Sequence, residues 1–364
     1  MISPYVGQPV QPHHASRLTV ETLQPPDKLL SFGAVVRGLD LADPLSEDDV
    51  AMLEAALADH GLLVLEGAAH PTVEAERFSN LVRQLNPGAE TTWRDQQTNP
   101  WERYKADHMG PAGTFNLPSC HDVLVLGKGD VEDHFGLTCA LGGKRKAYGA
   151  SGSQVIGGGQ LQWHIDGAFW KSPSSPASGL PCRVVGMRCI EAPVPPRTFD
   201  VEYGDGATLR CTTGSTAFCS GVRAFQLLTE QERERALRTT VVYAAHPFKR
   251  FASCGMTQDG LRCVGDGDTK GAIDDERSGQ LRLPLVWTHP ESGRPALMPH
   301  TRCLESIEIA SVDGAGPPTV LDTEMARAFL HGLMRRAVDP SLVFPVAWRA
   351  GDCVRDRLEC EYIP

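Results

Sequence analysis

His164 and Asp166, separated only by Ile165, are the sharpest pairing of chemistry-bearing side chains in the chain. In an extended segment, residues two apart project to the same side, so an imidazole and a carboxylate at this spacing can converge on one ion. Together they suit Fe(II). One more histidine would complete a two-histidine, one-carboxylate set that leaves three coordination positions for a cosubstrate and oxygen. The bare His-x-Asp pattern also fits a surface pair or a hydrogen-bonded core histidine. Its setting favours the metal: Gly157-Gly158-Gly159 upstream, Trp163 directly before, and Gly167-Ala168-Phe169-Trp170 after, an apolar wall that would shield a reactive centre.

Other candidates are weaker. His246, His289 and His300 supply imidazoles, and His246, before Pro247, reads as structural. Thr216, taken alone, reads as a polar residue capping a strand end. No Gly-x-Ser-x-Gly elbow is present, which makes a nucleophile-based hydrolase a poor reading. The 11 cysteines are odd in number and form no Cys-x-x-Cys pair, so reduced, mostly buried thiols in a cytoplasmic protein are expected rather than a disulfide framework or a zinc knuckle.

The elements that must position these residues are legible in part. The chain has 364 residues, 41% hydrophobic and 22% charged, an ordinary globular balance that can support a sizeable core. A net charge of −10 leaves no basic footprint for nucleic acid or an anionic membrane surface, and Lys144-Arg145-Lys146 and Arg335-Arg336 read as solvated faces. No apolar run approaches the roughly 18 residues that cross a bilayer. Residues 1–28 read as an N-terminal tail or strand-like arm, and residues 29–364 as one domain.

Ser46 followed by Glu47-Asp48-Asp49 and the stripe Met52, Leu53, Ala56, Leu57 predicts a capped amphipathic helix that stops at His60-Gly61. Leu62-Leu63-Val64-Leu65 then predicts a buried strand, and Val73 to Leu85 a second helix. The segment from about 88 to 160, rich in glycine and poor in periodicity, reads as a long loop region of the kind used for lids or binding loops. Farther on, Thr229-x-x-Glu232 is a capping box and Thr240 to Tyr243 a strand. Leu283 to Trp287 is expected to pair with Ala296 to Met298, and Thr323 to Arg336 to form an amphipathic helix. Trp348 to Val354 reads as a last turn and strand.

Taken in order, several segments resemble the taurine dioxygenase (TauD/TfdA) family of Fe(II), 2-oxoglutarate-dependent oxygenases. They are Phe32 to Asp40, His60 to Gly67, Trp163-His164-Ile165-Asp166, Gly214 to Gly221, Leu285 to Arg294, and the turn Trp348-x-x-Gly351-Asp352. The flavour is that of members in fungal and bacterial secondary metabolism. The resemblance implies an α+β fold, a distorted double-stranded β-helix (jelly roll) flanked by helices, enclosing the metal. It implies His164 and Asp166 as metal ligands and catalytic centre, and Thr216 as a contact to the distal carboxylate of 2-oxoglutarate. Fe(II) would be the metal, 2-oxoglutarate the cosubstrate, and molecular oxygen and a small organic molecule the partners. The reaction would be hydroxylation or desaturation of that molecule.

The resemblance fails at the C-terminal end. In the family a second metal histidine follows the Trp-x-x-Gly-Asp turn, and a later arginine grips 2-oxoglutarate. Here Tyr362 stands nearest the expected histidine, and the arginine position lies past Pro364. Two expectations compete: a domain lacking its final strands through truncation, which is favoured, or an inactive relative that keeps the pocket as a small-molecule binding protein.

Overall fold

The computed structural model describes residues 17–23, 31–85, 115–127, 129–141, 163–166, 180–244, 255–264, 280–289, 292–356 and 359–362. Helices and strands intermix in an α+β arrangement. The strands of the larger sheets are β1 (Thr19–Thr22), β2 (Ala34–Arg37), β3 (Leu62–Leu65), β4 (Val185–Arg188), β5 (Thr216–Ser220), β6 (Thr239–Tyr243), β7 (Arg282–Pro284), β8 (Leu304–Ile309), β9 (Thr319–Leu321), β10 (Phe344–Val346), β11 (Cys353–Asp356) and β12 (Glu359–Tyr362). The helices are α1 (Glu47–His60), α2 (Ala75–Gln84), α3 (Gly221–Gln226), α4 (Glu230–Leu237) and α5 (Thr323–Met334).

One sheet is five-stranded in the order β1-β2-β3-β11-β4. β2 and β3 run parallel, an arrangement that needs the crossover α1 supplies, while β11 pairs antiparallel with both β3 and β4. The connecting helix α1 begins as expected. The Ser46 side chain accepts from the Asp49 backbone, the Asp49 carboxylate accepts from Ser46, and Gly61 at φ 71° ends the helix. Leu53 and Leu57 of α1 and Phe78 and Leu81 of α2 pack with Ala34, Val36, Leu63 and Leu65 into one apolar cluster. α2 is shorter than the expected Val73 to Leu85, because Val73 sits in the preceding turn, its amide bonded to the His70 carbonyl.

The other two larger sheets flank a bigger core. β10-β5-β12 is three-stranded and β7-β6-β8-β9 four-stranded. α5 packs on β8 and buries Ala326, Leu330, Leu333 and Met334 in a cluster that also takes in Trp163 and Ile165. Phe218, Val346, Phe32, Leu62 and Val354 form a smaller cluster shared by the three-stranded and five-stranded sheets. The described strands form separate open sheets, with no closed barrel among them.

Two further expectations change. Within the 88–160 stretch, residues 115–127 and 129–141 fold into two antiparallel ribbons, Phe115–Leu117 with Cys120–Val125 and Gly129–His134 with Leu137–Leu141. Gly136 at φ 83° and Phe135 at φ 49° make the second tip. The segment Leu283 to Trp287 does not act as one strand. It splits at Leu285, giving β7 to the sheet of β6 and leaving Val286–Thr288 to pair with Pro295–Leu297. Among the described residues, Cys120, Cys139, Cys182, Cys189, Cys211, Cys219, Cys263, Cys303 and Cys353 are free thiols. No described helix is long and apolar enough to cross a membrane.

Candidate metal centre

Within the described segment 163–166, His164 forms an isolated bridge. The segment's alternation is nonetheless that of a strand. Trp163 and Ile165 are 2% and 3% exposed, sunk into the large core, while the His164 and Asp166 side chains on the opposite side are 19% and 39% exposed. His164 Nε2 and Asp166 Oδ1 therefore face each other at 3.6 Å. Donors bound to one ion at about 2.1 Å each stand about 3 to 4.2 Å apart, so this pair can share an ion without rearranging. The far end of the segment is fixed by the Cys182 amide, which donates to the Asp166 carbonyl at 2.8 Å.

His300 comes closer than its sequence position suggests. Its ring centroid lies 6.2 Å from that of His164, inclined by 49°. Burial pushes the His300 imidazole well below the ordinary histidine value, and His164 and Arg302 push the same way, so it stays neutral and adds no positive charge beside His164. Its amide donates to the Tyr243 hydroxyl at 3.2 Å, and its Nε2 stands 3.7 Å from the Cys303 thiol. His300 is a core histidine that walls the site. His289 is equally structural: its carbonyl accepts from the Gly293 amide at 2.8 Å and its Nδ1 from the Ser292 amide at 3.2 Å, which closes the turn read from the sequence. His246, the Gly157–Gly159 approach and the Gly167–Trp170 wall lie outside the described residues.

Thr216 opens β5 and is 3% exposed. Its Oγ1 accepts from the Trp348 indole at 3.0 Å, and no hydrogen bond joins it to His164 or Asp166. Trp348 belongs to the Trp-x-x-Gly-Asp turn, where the buried Asp352 carboxylate accepts from the Gly67 amide at 2.9 Å and the Arg349 amide at 3.1 Å. Gly351 at φ 94° makes the turn possible, and the Ala69 carbonyl would lie 3.3 Å from an added Cβ. Sequence reading singled out the turn but not the pairing of its indole with Thr216. Tyr362 pairs in register with Ala217, next to Thr216, so β12 is the edge of the three-stranded sheet.

Comparison with known proteins decides the family. The sequence profile described as "Taurine catabolism dioxygenase TauD, TfdA family" matches residues 127–355. The chain belongs to the TauD/TfdA dioxygenase family. It is 29% identical over 351 residues to the alpha-ketoglutarate-dependent xanthine dioxygenase xanA of Emericella nidulans, covering 93% of this chain and 89% of the relative. It is 27% identical over 356 residues to the xanthine dioxygenase xan-1 of Neurospora crassa, covering 93% and 81%. Among solved structures, AAD-2 in complex with Mn(II) and N-oxalylglycine aligns with a TM-score of 0.56 at 14% identity, covering 96% of this chain and 91% of that one, a likeness of fold.

As a TauD/TfdA protein the chain is a 2-oxoglutarate-dependent dioxygenase of small molecules, with Fe(II) as its metal and 2-oxoglutarate as cosubstrate. The residues present fit the metal in part. A neutral-capable imidazole and a carboxylate face one point, as a divalent iron needs. Among the described residues no third His, Cys, Asp or Glu joins them.

Proposed function

We propose that this chain couples decarboxylation of 2-oxoglutarate to oxidation of a small heterocyclic molecule of the purine type, with His164 and Asp166 holding Fe(II) and Thr216 facing the cosubstrate. The observation that carries the site assignment is the 3.6 Å approach of the His164 and Asp166 donor atoms on the open side of a segment whose other side is buried. The substrate class follows from the xanthine dioxygenases to which the chain is similar over most of its length. Iron, when bound, supplies the site where oxygen is reduced as 2-oxoglutarate loses carbon dioxide to become succinate. The chain contributes the rest. His164 and Asp166 orient the ion. Trp163 and Ile165 keep the ligand segment seated in the core. The neutral His300 closes one side without charge, and Thr216, its oxygen already taken up by the Trp348 indole, has its hydroxyl hydrogen available for a carboxylate.

A jelly roll enclosing this site is the proposed architecture, in keeping with the family and the open antiparallel sheets among the described residues. Residues 29–364 are proposed as one domain, in the cytoplasm, where reduced thiols are the norm. The test is succinate formation from 2-oxoglutarate with Fe(II) and ascorbate, with xanthine, other purines and non-purine heterocycles compared as the second substrate. Purine-dependent succinate is expected, and His164→Ala should abolish it. Undiminished turnover in that variant rejects the site assignment, and indifference to purines rejects the substrate class.

A second reading, a binding protein that keeps the pocket without turnover, is favoured by the absence of a third metal-binding side chain beside His164 and Asp166 among the described residues. It predicts purine binding with no succinate.

A further inference from the structure

The geometry points to Asp259 as a positioning residue for the metal-binding segment, acting through Trp163 and anchored on α5 by His331. This inference rests on the reading of His164 and Asp166 as metal ligands. Among the described residues the segment 163–166 forms only an isolated bridge, and a neighbouring turn supplies bonds that hold it. Trp163 is clamped twice by one turn: its amide donates to the Gly260 carbonyl at 3.1 Å and its indole to the Asp259 carbonyl at 2.9 Å. That turn, Thr257 to Arg262, closes on itself, with the Gly260 amide on the Thr257 carbonyl at 2.8 Å and Gly260 at φ 70°.

The Asp259 side chain locks the turn and ties it to the helix. Its carboxylate accepts from the Thr257 hydroxyl at 2.5 Å, from the Leu261 amide at 3.3 Å and from His331 Nε2 of α5 at 2.7 Å, with Arg335 Nε at 3.6 Å. A second tie, Arg262 to Glu324, joins the same turn to the start of α5 at 3.1 Å. Burial alone would raise the Asp259 carboxyl. The hydrogen bonds from His331, Thr257 and Leu261 reverse that and leave it below the ordinary carboxylate value, so the anchor is a charged group at neutral pH. A buried carboxylate bonded from several sides cannot drift without leaving a charge unsatisfied. The position of α5 is thus transmitted through Asp259 to Trp163, and from Trp163 to its neighbour His164. Groups that orient metal ligands from behind typically change affinity tenfold or more when removed.

The test is Mn(II) titration of the full chain, read by loss of the free-ion EPR signal, alongside thermal unfolding. His331→Ala and Trp163→Phe should each weaken Mn(II) about tenfold. His331→Gln, whose Nε2 can still donate to Asp259, should bind as wild type does. If the two residues act in one chain, the double variant His331→Ala/Trp163→Phe should bind no worse than about the weaker single variant, rather than showing the product of both effects. A purely structural role would lower the unfolding temperature while leaving Mn(II) affinity intact, and that result overturns the inference. So do multiplicative losses, or failure of His331→Gln to restore affinity. If His331→Ala does not fold, Trp163→Phe alone decides. Failure of the wild type to bind Mn(II) at all would instead remove the ligand reading, and the inference with it.

Discussion

Replacing Asp352 by alanine tests whether the Trp-x-x-Gly-Asp turn is the clasp of the fold. The carboxylate is 5% exposed and accepts from two backbone amides, that of Gly67 just beyond β3 and that of Arg349 inside its own turn. The same turn is stitched by the Ala69 amide to the Gly351 carbonyl, the Gly351 amide to the Cys189 carbonyl and the Cys189 amide to the Asp352 carbonyl, each at 2.9 Å. Backbone bonds survive the substitution, but two amides lose a charged acceptor. A hydrogen bond to a charged group contributes about 1.5 to 3 kcal/mol when fully buried, and partial solvent access at these donors argues for the lower end. Asp352→Ala should therefore cost about 2 to 4 kcal/mol, and Asp352→Asn, which can accept at one position only, about 1 to 2 kcal/mol. Urea unfolding followed by far-UV circular dichroism should show the midpoint falling in that order with an unchanged slope. An alanine variant within about 0.5 kcal/mol of wild type would show that the clasp is decorative, since changes of that size are typical of uninvolved surface positions.

Trp348→Phe removes the indole donor to Thr216 while keeping an aromatic ring. One such bond is about 1 kcal/mol, so the KM for 2-oxoglutarate in the succinate assay should rise about fivefold with kcat little changed. Leu57→Ala empties a fully buried position between α1 and the five-stranded sheet and should cost about 2 to 5 kcal/mol in urea unfolding. Glu232 is held down to about 2 from an ordinary 4.5, first by the Arg336 hydrogen bond and then by the Thr229 amide. Because its folded value is depressed, its contribution is present above pH 4.5 and is lost as pH falls toward 2. Between pH 5 and 3 the wild-type urea midpoint should thus drop more steeply than that of Glu232→Gln.

What could be read from the sequence follows the range of the forces involved. The α1 capping box at Ser46 and Asp49, the second one at Thr229 and Glu232, and the apolar run Leu62 to Leu65 are decided by neighbours within a few residues, and each appears where composition puts it. The strand Gly129–His134 was hidden because no buried apolar alternation announces it: its residues are exposed or half-buried throughout. Leu285 could not reveal that it divides one apolar run between two sheets, since the choice is made by Thr239, whose carbonyl accepts the Leu285 amide, and by the Met298 amide on the other side. At the proposed site, the His-x-Asp spacing set the two side chains facing each other, while the case for a metal came from their setting and the family resemblance. His300 beside His164, and Asp259 behind Trp163 at a separation of 96 residues, are products of packing that no local pattern encodes.

The two halves of the proposed site are held by different physics, and that makes their failures separable. Thr216 sits on a strand with a hydrogen-bonded neighbour on each side, β10 and β12, so its backbone is fixed by ladders and its side chain by the Trp348 indole. Among the described residues, the segment bearing His164 and Asp166 shows only an isolated bridge. It is placed by two buried side chains on its far face, by the Asp259 turn at one end and by the Cys182 amide at the other. A substitution that loosens the Asp352 clasp or the Trp348 indole should therefore appear in the KM for 2-oxoglutarate while Mn(II) affinity holds. One that loosens Asp259 or His331 should appear in Mn(II) affinity first. If Asp352→Ala weakens Mn(II) as much as His331→Ala does, the site moves as one rigid unit, and the division drawn from its hydrogen bonds fails.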